Sequence, residues 1–191
     1  NENKLEIYLS YLRKDYLKGT IFFRGRLCND GKKYLRKDMG APPKEKASEG
    51  RANSYGISRL YLADSEETCI HEIRAGTFDS ICIGRFRLNK SISVIDFKQT
   101  HNISIINDNF DYLEYLINKQ TLLKINEEMG RAVRSSDDPL DYIPTQYLCD
   151  FIKTVEFEKN KKFSGVEYTS TLNSDGYNLA IFYPEFLKCT K

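Results

Sequence analysis

The segment YLADSEETCIHEIRAG, from Tyr61 to Gly76, sets His71 and Glu72 side by side on a helix that follows an apolar strand. A His-Glu pair on a helix opens the zinc-hydrolase pattern H-E-x-x-H, where two histidines one turn apart grip the metal and the glutamate acts on its water. Here Ala75 occupies the second histidine position, and His71 and His101 are the chain's two histidines. Five cysteines, Cys28, Cys69, Cys82, Cys149 and Cys189, contain no C-x-x-C pair, so neither a zinc ribbon nor a disulfide framework is expected. Cys69, Cys82 and Cys149 read as small core residues. A Ser-His-Asp hydrolase is also disfavoured, since no G-x-S-x-G elbow occurs. His71 points roughly 100° around the helix from Glu72 and reads as a surface or boundary residue.

What remains is a set of polar residues planted at the ends of apolar strands. Arg24 and Arg26 close IFFRGR, Arg51 and Asn53 open GRANSYG, Tyr61 lies in SRLYLA, Glu72 is on the next helix, and Ser170 ends VEYTS. Singly, each has a structural explanation: an ion pair for an arginine, a turn bond for Asn53, core packing for Tyr61, solvent exposure for Glu72. Jointly they make a candidate site.

The elements that must position these residues can be read from periodicity. Leu5, Leu9, Leu12 and Tyr16 recur at helical spacing, predicting an amphipathic helix that ends at Gly19. TIFFRGR reads as a strand, and the polar CNDGKKYLRKDMGAPPKEKASEG after it as a loop. ISRLYLA is an apolar strand, with Asp64 as expected N-cap and Glu67 as its capping-box partner for a helix over Ser65 to Ala75. SICIGRFRL and SISVIDF are further strands, with breaks expected at Gly84 and at Asn89-Lys90. NFDYLEYLINKQTLLKINEEMG and PTQYLCDFIKTVEFEK are helical, Pro144 being tolerated in a first turn. GVEYTS and YNLAIFY are closing strands joined by TLNSDG. Helices and strands mix without regular alternation, which predicts an α+β fold in one domain. No G-x-G-x-x-G or G-x-x-x-x-G-K-[ST] loop is present, so a nucleotide site must be built in another way.

GRANSYGISRLYLADSEETCIHEIRAG resembles the core of the RES domain family, with its Gly-Arg-x-Asn segment, lYlA strand and glutamate-bearing helix. YIPTQYLCDFI resembles the family's Tyr-x-x-Thr-Gln helix start, and FSGVEYTSTLNSDGYNLAIF its last two strands. The similarity runs in order from FFRGR to AIFYP, most of the chain. The Arg, Glu and Ser that name the family map onto Arg24, Glu72 and Ser170, with Arg26 as the alternative first arginine. Cys69 replaces the family's small residue before the helix glutamate, Thr171 replaces a second serine, and residues 98–141 are longer than in compact members. The resemblance implies an ADP-ribosyltransferase-like split sheet around an NAD cleft, over residues 20–191. Residues 1–19 are then a packing helix, readable as a junction to an upstream domain.

The resemblance further implies that NAD is a substrate rather than a cofactor, cleaved at its nicotinamide-ribose bond, with inorganic phosphate or water as acceptor. Glu72 would stabilise the sugar cation, as carboxylates do in glycoside hydrolysis. Arg24 and Arg51 would hold phosphate groups through planar, permanently charged forks, with Arg26 beside them. Tyr61 would lie against the nicotinamide ring, Ser170 would bond the ribose or the incoming phosphate, and Asn53 would hold the loop in shape. The expected setting is a bacterial toxin or defence effector that depletes NAD and is paired with an inhibitory antitoxin or a linked amino-terminal domain. A mono-ADP-ribosyltransferase and a catalytically silent partner-binding domain are the rival readings.

Bulk properties fit a cytoplasmic enzyme. With 29 basic and 27 acidic residues the net charge is +2, too balanced to predict a nucleic-acid or membrane surface. No signal peptide or long apolar run is seen, no metal is called for, and a homo-oligomer is left open.

Overall fold

The computed structural model describes residues 2–28, 33–103, 112–131 and 138–191. In chain order the elements are α1 (Glu2–Tyr11), β1 (Arg13–Tyr16), β2 (Ile21–Leu27), β3 (Leu60–Ala63), α2 (Glu66–Glu72), β4 (Ile81–Leu88) and β5 (Ile92–Asp96). They continue with α3 (Tyr112–Gly130), α4 (Ile143–Thr154), β6 (Glu156–Glu158), β7 (Lys161–Lys162), β8 (Gly165–Thr169), β9 (Tyr177–Ile181) and β10 (Leu187–Cys189). The fold is α+β. Eight strands form one mixed sheet in the order β1-β5-β8-β9-β3-β2-β4-β10, parallel at β5/β8 and antiparallel elsewhere; β6 and β7 make a separate hairpin.

Strand alternation builds two cores, one on each face of the sheet. On one face Val166, Tyr168 and Ala180 meet Leu9, Leu12, Leu122, Leu148, Cys149 and Ile152, so α1, α3 and α4 cover it. On the other, Phe22, Leu60, Leu62, Phe86, Leu88, Leu179 and Ile181 pack with Met39 from the long loop. No helix among the described residues is long and apolar enough to cross a membrane.

The sheet is thin at one place. β2 and β4 share seven registered pairs, from Ile21↔Arg87 to Leu27↔Ile81, whereas β2 meets β3 only at Phe23↔Ala63. Beyond that pair β2 and β3 diverge, so the sheet splits between Arg24-Gly25 and Tyr61-Leu62.

Four local expectations are corrected by the structure. The helix predicted to reach Gly19 ends at Tyr11, and residues 13–16 become the edge strand β1, paired antiparallel with β5 from Arg13↔Ile95 to Tyr16↔Ile92. Partners far along the chain decide this: Arg13 reaches Glu158 at 2.9 Å and the Tyr16 hydroxyl donates to Glu167 at 2.5 Å. Ser65, rather than Asp64, caps α2, accepting from Thr68 N at 3.1 Å. Asp64 instead exchanges backbone and side-chain bonds with Tyr177, extending the β3/β9 ladder. Gly84 does not break β4. It lies opposite Arg24, and a Cβ there would sit 3.1 Å from Met39 Cε, so glycine lets the loop lie on the sheet. The helix expected over 144–159 stops at Thr154, because Glu156 and Glu158 pair with Lys162 and Lys161 across a turn where Asn160 takes φ 61°. The β10 strand has no counterpart in the sequence reading. The start of the helix predicted over 109–130, and parts of the long loop and of residues 98–141, lie outside the described residues.

Candidate functional site

A cleft of about 240 Å³ opens at the split, lined by Phe23, Arg24 and Gly25 of β2, Tyr61, Leu62 and Ala63 of β3, and Tyr168 and Asn178 of β8 and β9, with Cys69, Glu72 and Ile73 from the end of α2. The close approach of α2 depends on Gly25: a Cβ there would stand 3.2 Å from Ile73 Cδ1 and 3.4 Å from Cys69 Cβ. Arg74, at φ 50°, ends the helix just after Glu72.

Glu72 is the acidic residue of the cleft lining. Its Oε1 accepts from Ser170 Oγ at 2.6 Å and from Asn178 Nδ2 at 2.7 Å. Ser170 is buried, and its oxygen also accepts from the backbone N–H groups of Leu172 and Asn173. The hydroxyl proton is therefore aimed at Glu72. The connection between β8 and β9 is pinned a second time where Asn173 Nδ2 donates to Thr68 Oγ1 at 2.9 Å, on the first turn of α2. α3 grips the same connection, since Asn126 bonds both the N–H and the hydroxyl of Thr169 and Thr171 donates to Gly130 O.

Tyr61 divides its two ends between two tasks. The ring lines the cleft, while the hydroxyl donates to Asn53 Oδ1 at 2.6 Å and accepts from Ala52 N at 3.2 Å. Burial pushes the phenols of Tyr61 and Tyr168 up, so both are neutral rings. Asn53 is the pivot of its loop, donating to Ser48 O and Ser54 O and exchanging backbone bonds with Gly50. Gln146 of α4 steadies that loop through Gly50 O and Ser54 Oγ.

The arginines divide. Arg24 lines the cleft, and its guanidinium donates to the carbonyls of Met39 and Gly40; Arg26 donates to Gly40 O at 3.2 Å. Alternation puts both on the Phe22 face of β2, opposite α2, and Arg24 contributes to the cleft because the sheet is open beside it. Burial, reinforced by the neighbouring Arg26, pushes the Arg24 guanidinium down to about 10, which leaves it cationic at neutral pH. Arg51 lies elsewhere: buried under Tyr142, it donates to Arg131 O at 2.8 Å and pairs with Glu128 at 3.4 Å, joining its loop to α3. His71 is exposed. Cys69, in the cleft wall, has its thiol pushed up to about 12 by burial and is no thiolate nucleophile.

Of the candidates read from sequence, the fold thus brings Arg24, Tyr61 and Glu72 to one cleft, with Ser170 directly behind Glu72. It sets Asn53 behind Tyr61, Arg26 beside Arg24, and Arg51 in the helix layer. Sequence reasoning missed Tyr168 and Asn178. Asn178 pairs with Tyr168 on one side and Ala63 on the other, and Ala63 pairs with Phe23, one transverse row whose side chains share the α2 face. The available signal was a lone amide in an otherwise apolar strand, YNLAIF.

Residues 25–191 match the protein-family model described as RES domain. No curated protein matches the chain.

Proposed function

Because the chain belongs to the RES domain family, an NAD-related and toxin-associated one, we propose that it is an NAD-consuming enzyme that cleaves the nicotinamide-ribose bond. The ADP-ribosyl group passes to inorganic phosphate or water, as in an NAD phosphorylase or glycohydrolase. NAD is the substrate and no further cofactor takes part. The enzyme acts in the cytoplasm as a toxin or defence effector, restrained by an antitoxin protein or a linked domain.

One observation carries this reading: a carboxylate fixed by two neutral donors beside an aromatic wall, at an opening of the sheet whose other side bears a half-buried arginine. In the reaction the bond from C1′ to the nicotinamide nitrogen breaks. Its electron pair goes to the ring, which leaves neutral, so no general acid is needed. Positive charge builds on the ribose, and Glu72 opposes it at close range in a cleft with low-dielectric walls. The face of Tyr61, with Tyr168 in the same cleft wall, receives the nicotinamide, attracting the cationic ring before cleavage more than the neutral one after it. Arg24 binds the phosphate groups of the substrate or the acceptor phosphate.

The test is release of free nicotinamide from NAD by the purified chain, with and without phosphate, followed by mass spectrometry of the sugar product. Glu72→Gln keeps the size and both hydrogen bonds to Oε1 but removes the charge, and is expected to lower the rate by about 10²-fold or more while the protein stays folded. Unchanged release by that variant refutes the site. Label from NAD retained on a macromolecule, with no small ADP-ribose product, refutes degradation in favour of transfer.

A further inference from the structure

We propose that Asn178 is a positioning residue for this reaction, which locks the Glu72 carboxylate so that its Oε2 atom alone is left to face the sugar. The inference rests on the reading of Glu72 as the group that stabilises the ribosyl cation.

The two hydrogen bonds to Glu72 converge on the same atom. Asn178 Nδ2 and Ser170 Oγ both donate to Oε1, at 2.7 and 2.6 Å. A carboxylate oxygen offers two lone-pair directions, and two donors use both. Among the described residues no donor reaches Oε2, although Glu72 lines the cleft. One oxygen is therefore structural and the other is available.

The clamp is rigid because its arms come from separate, well-held pieces of backbone. Asn178 lies in β9 with registered partners on both sides, Tyr168 of β8 and Ala63 of β3, and is only 7% exposed. Ser170 follows β8, its lone pairs occupied by two backbone N–H groups. The amide orientation is fixed by its partner, since only the NH₂ end can bond a carboxylate. A glutamate held at one oxygen from two sides has surrendered most of its rotamer freedom before substrate arrives.

The chemistry of the donor matters as much as its place. A lysine or arginine at position 178 would fix Glu72 equally well but would neutralise the charge that the sugar cation needs. An amide and a hydroxyl orient the carboxylate and leave that charge intact. Burying an amide in a central strand costs free energy unless it is bonded, so the Glu72 contact also accounts for an asparagine surviving in YNLAIF.

The experiment compares nicotinamide release and NAD binding for the wild-type chain, Asn178→Ala and Asn178→Ser, with Asn178→Ala repeated in the Glu72→Gln background. Serine keeps a hydroxyl too short to span the gap and carries the test if the alanine variant fails to fold. The expected result is a kcat lowered roughly ten- to a hundredfold, with KM and the calorimetric Kd for NAD within about twofold. In the Glu72→Gln background the second substitution adds no further loss, because it acts through Glu72. A folded variant with wild-type kcat overturns the proposal. So does a weaker Kd with kcat retained, which assigns Asn178 to direct substrate contact, or an equal loss in both backgrounds. If wild type releases no nicotinamide, the proposed function fails and this inference with it. If wild type is active and Glu72→Gln is not, the Asn178 result judges the clamp alone.

Discussion

At the scale of single residues, several side chains split their surface between site and scaffold. Tyr61 presents its ring to the cleft and spends its hydroxyl on Asn53 and Ala52, so ring and hydroxyl can be tested apart. Tyr61→Phe keeps the ring and leaves Asn53 Oδ1 without its donor and the Ala52 N–H without its acceptor. The expected cost is about 1–3 kcal/mol of stability in urea unfolding, with nicotinamide release reduced much less than by Tyr61→Ala, which also removes the ring. Equal rates for the two variants would deny the ring a part in binding. Ser170 is the opposite case: its oxygen is occupied by two backbone donors and its proton by Glu72. Its side chain thus holds the glutamate, a contact the sequence reading did not include. Arg51 is likewise engaged with Arg131 and Glu128 rather than lining the cleft.

At the scale of elements, the site depends on how closely α2 can approach β2, and this is set by the missing side chain of Gly25. Gly25→Ala puts a methyl 3.2 and 3.3 Å from the Cδ1 and Cγ2 atoms of Ile73 and 3.4 Å from Cys69 Cβ, so Ile73 must give by a few tenths of an ångström, and the last turn of α2 is expected to move with it. Glu72 moves with it, away from two donors that do not. Nicotinamide release should fall about tenfold, and stability by about 1–3 kcal/mol from overpacking; a wild-type rate would mean that Ile73 adapts without the helix. What was legible in the sequence follows the same line. The strands and the glutamate-bearing helix were readable because alternation and capping are local signals. Asn178 and Tyr168 were not, because a row of pairs running from β8 through β9 and β3 to β2 brings them to the cleft, and register is not local. The α1 error has the same cause: Leu5, Leu9, Leu12 and Tyr16 do fit a helix, and pairing with β5, with the distant partners of Arg13 and Tyr16, turns residues 13–16 into a strand.

At the scale of the whole molecule, that first strand ties the amino-terminal segment to the centre of the fold. The family match begins at residue 25, yet β1 completes the sheet ahead of it. It also supplies a charge to the second core, where Glu167 of β8 is fully buried. Lys14 Nζ lies 2.8 Å from Glu167 Oε1 and 3.7 Å from Asp96, Lys98 also pairs with Glu167, and the Tyr16 hydroxyl donates to the other oxygen. Burial alone would lower the Lys14 pKa, but the bond to Glu167 and the two carboxylate charges outweigh it and hold the ammonium above its ordinary value. A cation whose folded pKa is raised contributes its stability in full below the unfolded value, about 10.4, and loses it as pH rises through the folded one. Lys14→Met should therefore destabilise the chain at pH 7 by about 2 kcal/mol, less than for a fully buried pair because Lys98 remains and Lys14 is partly solvated. The gap between wild type and variant should narrow as the pH is taken above about 10, where wild type loses the charge that the variant never had. Urea unfolding of both proteins at neutral and alkaline pH measures this, and a gap that stays constant with pH would show that Lys14 works through the packing of its methylene stem rather than through its charge.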